Sequence, residues 1–258
     1  MRRHHHMNLK SKLQNHAVTV GSWISIAHPA IAEIMSDAGF DWLTVDLEHS
    51  VITIREAEEL IRIISLKGVT PLVRLTSNDP NQIKKVMDAG AHGVIVPMVN
   101  SRELAEAAVR SVKYPPIGTR GVGLARAQGY GTRFEAYVDW LRDESVVIAQ
   151  IEHIDAIDNL EDILSTDGID GTIIGPYDLS ASMGKPGKFD DDDVKEAIRR
   201  YELVSRKLKK PLGYHVVPTN PPLVQQRIQD GYSFIAYSTD FLFLGDKCRG
   251  DLIQLRQS

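Results

Sequence analysis

Short runs of apolar, largely β-branched residues alternate along the chain with longer stretches in which apolar positions recur every three or four residues. The short runs fall at 18–26, 42–46, 70–74, 93–96, 146–151, 171–174, 212–216 and 233–237. Several are apolar at both parities, as in strands of a parallel sheet covered by helices. The helical periodicity falls at 30–38, 54–67, 80–89, 101–112, 154–164, 191–210 and 220–230, with a last stretch from about 240 to 256. Helix boundaries are punctuated accordingly. Asn78-Asp79-Pro80 places a capping side chain before a proline at a helix start, and Asp88-Ala89-Gly90 and Asp230-Gly231 end helices on glycine. Eight strand–helix units in 258 residues predict an α/β fold, a single-domain (β/α)8 TIM barrel over 17–258 preceded by an extension at 1–16. The competing open, doubly wound sheet would usually carry a glycine-rich phosphate loop after an early strand, and none follows here. The segment 114–130, rich in Gly, Pro and Arg, interrupts the alternation; in a barrel it lies on the helix-to-strand side unless it folds back over the top.

Composition narrows the function classes. A hydrophobic fraction of 43% supports a sizeable core, and a net charge of −4 with no basic block argues against a nucleic-acid surface. No apolar run approaches the roughly 20 residues that span a bilayer, and no secretory signal follows the N-terminus. The single Cys248 excludes an internal disulfide and a cysteine-based zinc site, so a soluble cytoplasmic protein is the expectation. His4-His5-His6, native or a tag remnant, is left out of the site argument.

In a barrel the chemistry sits where strands end. Strand two ends in Asp46-Leu47-Glu48-His49, strand three in Arg74 and strand five in Gln150-Ile151-Glu152, while strand six leads to Gly175-Pro176-Tyr177-Asp178. Two acids at the ends of successive strands, Glu152 and Asp178, suggest a divalent cation held by oxygen ligands. Each residue also has a plainer reading: a helix cap for Glu152 or Asp178, a loop histidine for His49, a buried ion-pair partner for Arg74. His28 and His215 could line the mouth but have no assigned role. The run Asp190–Asp193 reads as a solvated helix entry whose charge suits the macrodipole.

Several stretches resemble the HpcH/HpaI family of metal-dependent class II pyruvate aldolases, whose members cleave compounds such as 4-hydroxy-2-oxoheptanedioate and 2-keto-3-deoxy sugar acids. They are residues 38–49, with Asp46 and Glu48-His49; Val73-Arg74; Asn78-Asp79-Pro80; residues 96–99; Tyr114-Pro115-Pro116-Ile117-Gly118-Thr119-Arg120-Gly121-Val122-Gly123; Gln150-Ile151-Glu152; and Gly171 through Ser180. The resemblance covers roughly 20–245. It implies that Glu152 and Asp178 bind Mg2+ or Mn2+, leaving positions for a 2-oxo acid and water. It further implies that His49 is the acid–base residue, with Asp46 orienting its imidazole and Asp88 as a second partner. Arg74 stabilises developing oxyanion charge, Gln150 lines the pocket, and Glu48 contacts metal-held waters. The turn Gly175-Pro176-Tyr177-Asp178 receives the substrate carboxylate on backbone N–H groups. The sequence departs from many members at Leu47 and Tyr177, and in the loops after Gly123 and Met183-Gly184.

The expected activity is aldol cleavage or formation of a 4-hydroxy-2-oxo acid from pyruvate and an aldehyde. No lysine ends a predicted strand, which argues against an imine mechanism. The alternatives are a lyase on the same scaffold that decarboxylates or cleaves an acyl-CoA thioester, and a barrel that has lost catalysis and serves as a sensor. Relatives form hexamers, so a homo-oligomer is expected, with the apolar Phe241-Leu242-Phe243-Leu244 at an interface.

Overall fold

The computed structural model describes residues 7–257, and His4-His5-His6 lie outside the described residues. Eight parallel strands close a barrel in chain order: β1 (Thr19–Ile24), β2 (Trp42–Asp46), β3 (Thr70–Arg74), β4 (Gly93–Val96), β5 (Val146–Ile151), β6 (Gly171–Ile174), β7 (Gly213–Val216) and β8 (Phe234–Thr239). β1 closes on β8 through Thr19↔Phe234 and Gly21↔Ala236, then shifts register before Trp23↔Thr239. The crossover helices are α2 (Pro29–Ser36), α3 (Ile54–Leu66), α4 (Pro80–Asp88), α5 (Arg102–Val112), α6 (Phe134–Asp143), α7 (Ile154–Asp158), α8 (Leu160–Leu164), α9 (Pro176–Ser182), α10 (Asp192–Lys207) and α11 (Pro221–Gln229), numbered after an N-terminal α1 (Leu9–Gln14) and followed by α12 (Asp240–Gln257).

Strand parity divides the core in two. Trp23, Trp42, Leu72, Ile95, Ile148, Ile173 and Phe234 fill the barrel interior, while Leu43, Val45, Val73, Val94, Val147 and Ile174 pack outward on the helices. Trp42 stacks on Phe234 at 4.4 Å, and Gly21 is glycine because a Cβ there would fall 2.0 Å from the Trp42 ring. α1 belongs to this interior. Leu9 and Leu13 are buried against it, Lys12 pairs with Asp41 and Lys10 with Asp170. Residues 8–15 of the expected extension therefore stopper the barrel floor.

Three helices lie outside the sequence prediction: α1, α6 and α9. The helical stretch expected over 154–164 is broken at Asn159 into α7 and α8, where its side chain turns to donate to Asn100 O. The segment after α5 stays at the floor. Thr119 and Arg120 N–H donate back to Arg110 and Lys113 carbonyls, and Ala127 N–H donates to Asp88 O. Asp191 caps α10, and the acidic run forms that helix's entry, as its composition predicts.

Candidate active site

The same parity that buries Trp42, Leu72 and Ile148 puts Asp46, Arg74, Gln150 and Glu152 into the top of the barrel interior, two or four residues further along each strand. Arg74 is the hub. Its Nε and NH2 donate to the two Asp46 oxygens at 2.8 and 2.6 Å, and its NH1 lies 3.2 Å from Glu48 Oε2. Its flat face covers the Trp23 ring at 4.4 Å, and His215 meets that ring edge-on at 5.4 Å. The guanidinium also lines the cavity beside it. Glu48 Oε2 lacks hydrogen-bond geometry to any partner despite its nearness to Arg74, so that contact is one of charge.

Glu152 follows β5 and is 3% exposed. Met98 N–H donates to its Oε1 at 2.7 Å, and the Gln150 amide donates to Oε2. Met98 adopts φ 52°, a left-handed backbone uncommon outside glycine, and that turn aims its N–H at Glu152. Gly175 leaves the space that Glu152 occupies: a Cβ there would stand 3.2 Å from Glu152 Cβ and 3.3 Å from Oε2. Asp178 is the third residue of α9, exposed, and its carboxylate receives no hydrogen bond among the described residues. Neither acid is a cap. His153 caps α7 and Gly175 precedes α9, which removes the plainer reading of both.

Burial pushes the Glu152 carboxyl up to about 7, with the Met98 N–H opposing and the charge of Glu48 adding to the rise. Burial likewise raises Glu48 to about 7; Arg74 opposes, and Asp46 and Asp178 reinforce. The cluster thus holds four carboxylates around one guanidinium. His215, half-buried and beside Arg74, is pushed down to about 4 by desolvation and by that neighbouring charge, and stays neutral.

Two expected pairings are not made within this chain. Asp46 is not bonded to the His49 imidazole. Its oxygens take the Arg74 fork and the backbone N–H groups of Glu48 and His49 (3.0 and 3.3 Å), so it shapes the loop rather than the ring. The His49 ring is 65% exposed at the rim, with Nε2 3.9 Å from Glu48 Oε2. Asp88 ends α4 at the opposite end of the barrel, where Gln128 Nε2 donates to it at 3.2 Å, so within one chain it is not brought to His49. Arg74, Gln150, Gly175, Pro176, Tyr177 and Asp178 do converge on one cavity of about 60 Å³. Trp23 and His215 also line it; the sequence reading gave Trp23 no role and left His215 unassigned, although both share the inward parity. A larger cavity of about 700 Å³ lies at the floor among Arg62, His92, Arg126, Arg133 and Trp140, and no carboxylate lines it.

Among the described residues, no group of three metal-binding side chains stands together. Two carboxylates, one of them buried with its charge opposed by neighbouring acids, form instead the sparse oxygen set typical of Mg2+, which keeps waters or substrate in its other positions.

The family model for HpcH/HpaI aldolase/citrate lyase matches residues 19–244. The chain belongs to this family. It is 36% identical to the 2-dehydro-3,6-dideoxy-6-sulfogluconate aldolase of Pseudomonas putida, covering 95% of each chain. It is 39% identical to the hydroxypyruvate/pyruvate aldolase of Sagittula stellata over 86% of this chain and 87% of that one. The crystal structure of a family protein from Burkholderia cenocepacia superposes with a TM-score of 0.91 at 30% identity, covering 96% of this chain and 98% of the other. This HpcH/HpaI member is accordingly a carbon–carbon lyase of the aldolase type. No helix among the described residues is long and apolar enough to cross a membrane.

Proposed function

We propose that the protein is a divalent-cation-dependent pyruvate aldolase that joins pyruvate to an aldehyde, or releases them from a 4-hydroxy-2-oxo acid. The observation that carries this reading is the charge imbalance at the barrel mouth, where Asp46, Glu48, Glu152 and Asp178 face one Arg74. Glu152 and Asp178 would hold Mg2+ or Mn2+, which supplies Lewis-acid polarisation of a keto oxygen. Met98 N–H and Gln150 fix the Glu152 carboxylate in place. The first turn of α9, from Gly175 and Pro176, presents the N–H groups of Tyr177 and Asp178 to a substrate carboxylate. Arg74, pinned on three sides, keeps N–H bonds for the oxygen that gains charge as a methyl proton leaves. His49 accepts and returns that proton through a water, with Glu48 Oε2 3.9 Å from its Nε2. No lysine lines the cavity, which speaks against an imine route.

Incubation with a panel of 4-hydroxy-2-oxo acids tests the reading. Pyruvate release is expected with Mg2+ or Mn2+ and lost on chelation. No release across the panel in the presence of metal, or borohydride trapping of pyruvate after chelation, would overturn it. We further read the protein as a cytoplasmic homo-oligomer, a hexamer by resemblance. Phe241, Leu244, Leu252 and Ile253 of α12 are each half exposed or more, an apolar surface suited to a neighbouring subunit. Asp88 would reach His49 only across such a boundary. A monomeric mass in solution would remove this part.

A further inference from the structure

We propose that Tyr177 and Phe189 form an aromatic wall that sets the length of the second substrate, confining it to a short aldehyde. The proposal rests on the aldolase reading. The cavity floor is committed: Trp23 and Gln150 are buried and Arg74 is pinned by Asp46 and the Trp23 ring, leaving the exposed Tyr177 of α9 on the side by which a second substrate would enter. At about 60 Å³ the cavity has room for roughly four waters, which a three-carbon keto acid nearly fills. Tyr177, second in α9, lines the outer side of this space. Its ring stands edge-on to Phe189, with centroids 4.8 Å apart and planes at 88°. The Tyr177 hydroxyl has no partner among the described residues, so the ring is placed by Phe189 and not by a hydrogen bond.

Phe189 is a firm brace. It is half-buried, in a loop whose Lys185 and Gly187 N–H groups donate to Ser180 O and Oγ at 2.8 and 3.0 Å. Lys185 Nζ pairs with Asp191 at 2.6 Å, tying the loop to the start of α10. Ser180 itself is fully buried, so the loop is anchored to the barrel through α9. A ring held this way stands where an aldehyde chain would extend beyond its first carbons. Hydrophobic pockets discriminate by roughly 10–200-fold per methylene, so loss of the wall should be large enough to read.

The experiment measures kcat/KM for Mg2+-dependent addition of pyruvate to glycolaldehyde, propanal and hexanal, and takes the short-to-long ratio. Wild type should favour propanal over hexanal. Tyr177→Ala should reduce that preference about tenfold or more. Tyr177→Phe should retain it within about twofold, because the ring and its brace remain. Phe189→Ala should relax it by about threefold or more, and carries the test if Tyr177→Ala fails to fold. An unchanged ratio in Tyr177→Ala or Phe189→Ala, or equal relaxation in Tyr177→Phe, overturns the wall. Deuterium exchange into the pyruvate methyl group of the wild type separates the two readings. Exchange without addition to any short aldehyde overturns the wall and leaves the aldolase-type enolisation standing; absence of both defeats the parent reading and this one with it.

Discussion

Replacing Glu152 with glutamine tests the acid cluster and the cation reading in one measurement. Glu152 is 3% exposed, and burial lifts its carboxyl from 4.5 to about 7. A carboxyl whose folded pKa is raised binds protons more tightly when folded. Its contribution to stability is complete below the unfolded value and disappears as pH rises through about 7. At pH 8 the difference corresponds to at most about 3 kcal/mol relative to acid pH. Glutamine is isosteric with the protonated acid and never ionises. It keeps the Met98 bond, and the Gln150 carbonyl oxygen, buried without a partner, becomes available to its new N–H2 on an amide flip. Without divalent cation, Glu152→Gln should therefore melt above wild type at pH 8, with a ceiling of roughly 6–12 °C in a chain of this size, and close to wild type at pH 5. Mg2+ at about a hundred times its Kd should return about 2.7 kcal/mol to wild type and little to the variant. Because Glu152 feels the charge at Glu48, the titration followed at Glu152 is that of an interacting pair. Differential scanning fluorimetry across pH 5–8, with EDTA or Mg2+, reads all of this. A gap of equal size at pH 5 and pH 8, or equal protection of both proteins by Mg2+, refutes the reasoning.

Three further outcomes are expected. His49→Asn should shift stability by no more than about 0.5 kcal/mol, since the ring is 65% exposed, while lowering kcat for pyruvate release by about 10²–10⁴-fold; thermal melting and turnover measured together check both. Arg74→Met should cost about 3–5 kcal/mol in urea unfolding near neutral pH, because it strands Asp46 without its two-pronged partner; a cost below 1 kcal/mol would contradict the pinned geometry. Gly21→Ala should reach or exceed the upper end of the about 1–3 kcal/mol usual for overpacking, since the added methyl would fall 2.0 Å from the Trp42 ring, and loss of soluble protein or a lowered urea midpoint would report it.

Strand positions were legible because a parallel barrel strand is apolar on both faces and short. Trp42–Asp46 and Thr70–Arg74 stand where the pattern puts them, and the polar residue ending each points inward by parity alone. Helix α6 carried a readable signal, with Phe134, Tyr137, Val138 and Leu141 at helical spacing, but the glycine- and arginine-rich segment before it masked the change of period. Helix α1 offers only Leu9 and Leu13, one turn apart, and is stabilised by the barrel floor it stoppers rather than by its own pattern. Partner choice was the least legible part. Asp46 precedes His49 by three residues, a spacing that in sequence pairs it with the imidazole. In three dimensions the strand-paired Arg74, directly across the ladder, takes both of its oxygens. Proximity in sequence competes poorly with cross-strand register. The same logic sends Asp88, the last residue of its helix, to the floor.

The Asp46–Arg74 pair also changes how the remaining acids should be understood. A bidentate pair with the guanidinium face on Trp23 is nearly self-neutral; Arg74 still eases the charge of Glu48, 3.2 Å from its NH1, while Glu152 is eased by Met98 N–H and Gln150 instead. Were the cluster purely structural, a second cationic side chain would be the cheapest remedy; the other basic residue lining the cavity, His215, is held neutral. Instead Gly175 withholds a side chain where one would crowd Glu152, and Met98 accepts a left-handed backbone to donate to it. Both arrangements hold one carboxylate in a fixed orientation beside an unbonded Asp178. Residual negative charge kept in rigid geometry is what a removable cation requires, and it is why the Glu152→Gln advantage seen at pH 8 in EDTA should nearly close in Mg2+ at about a hundred times its Kd.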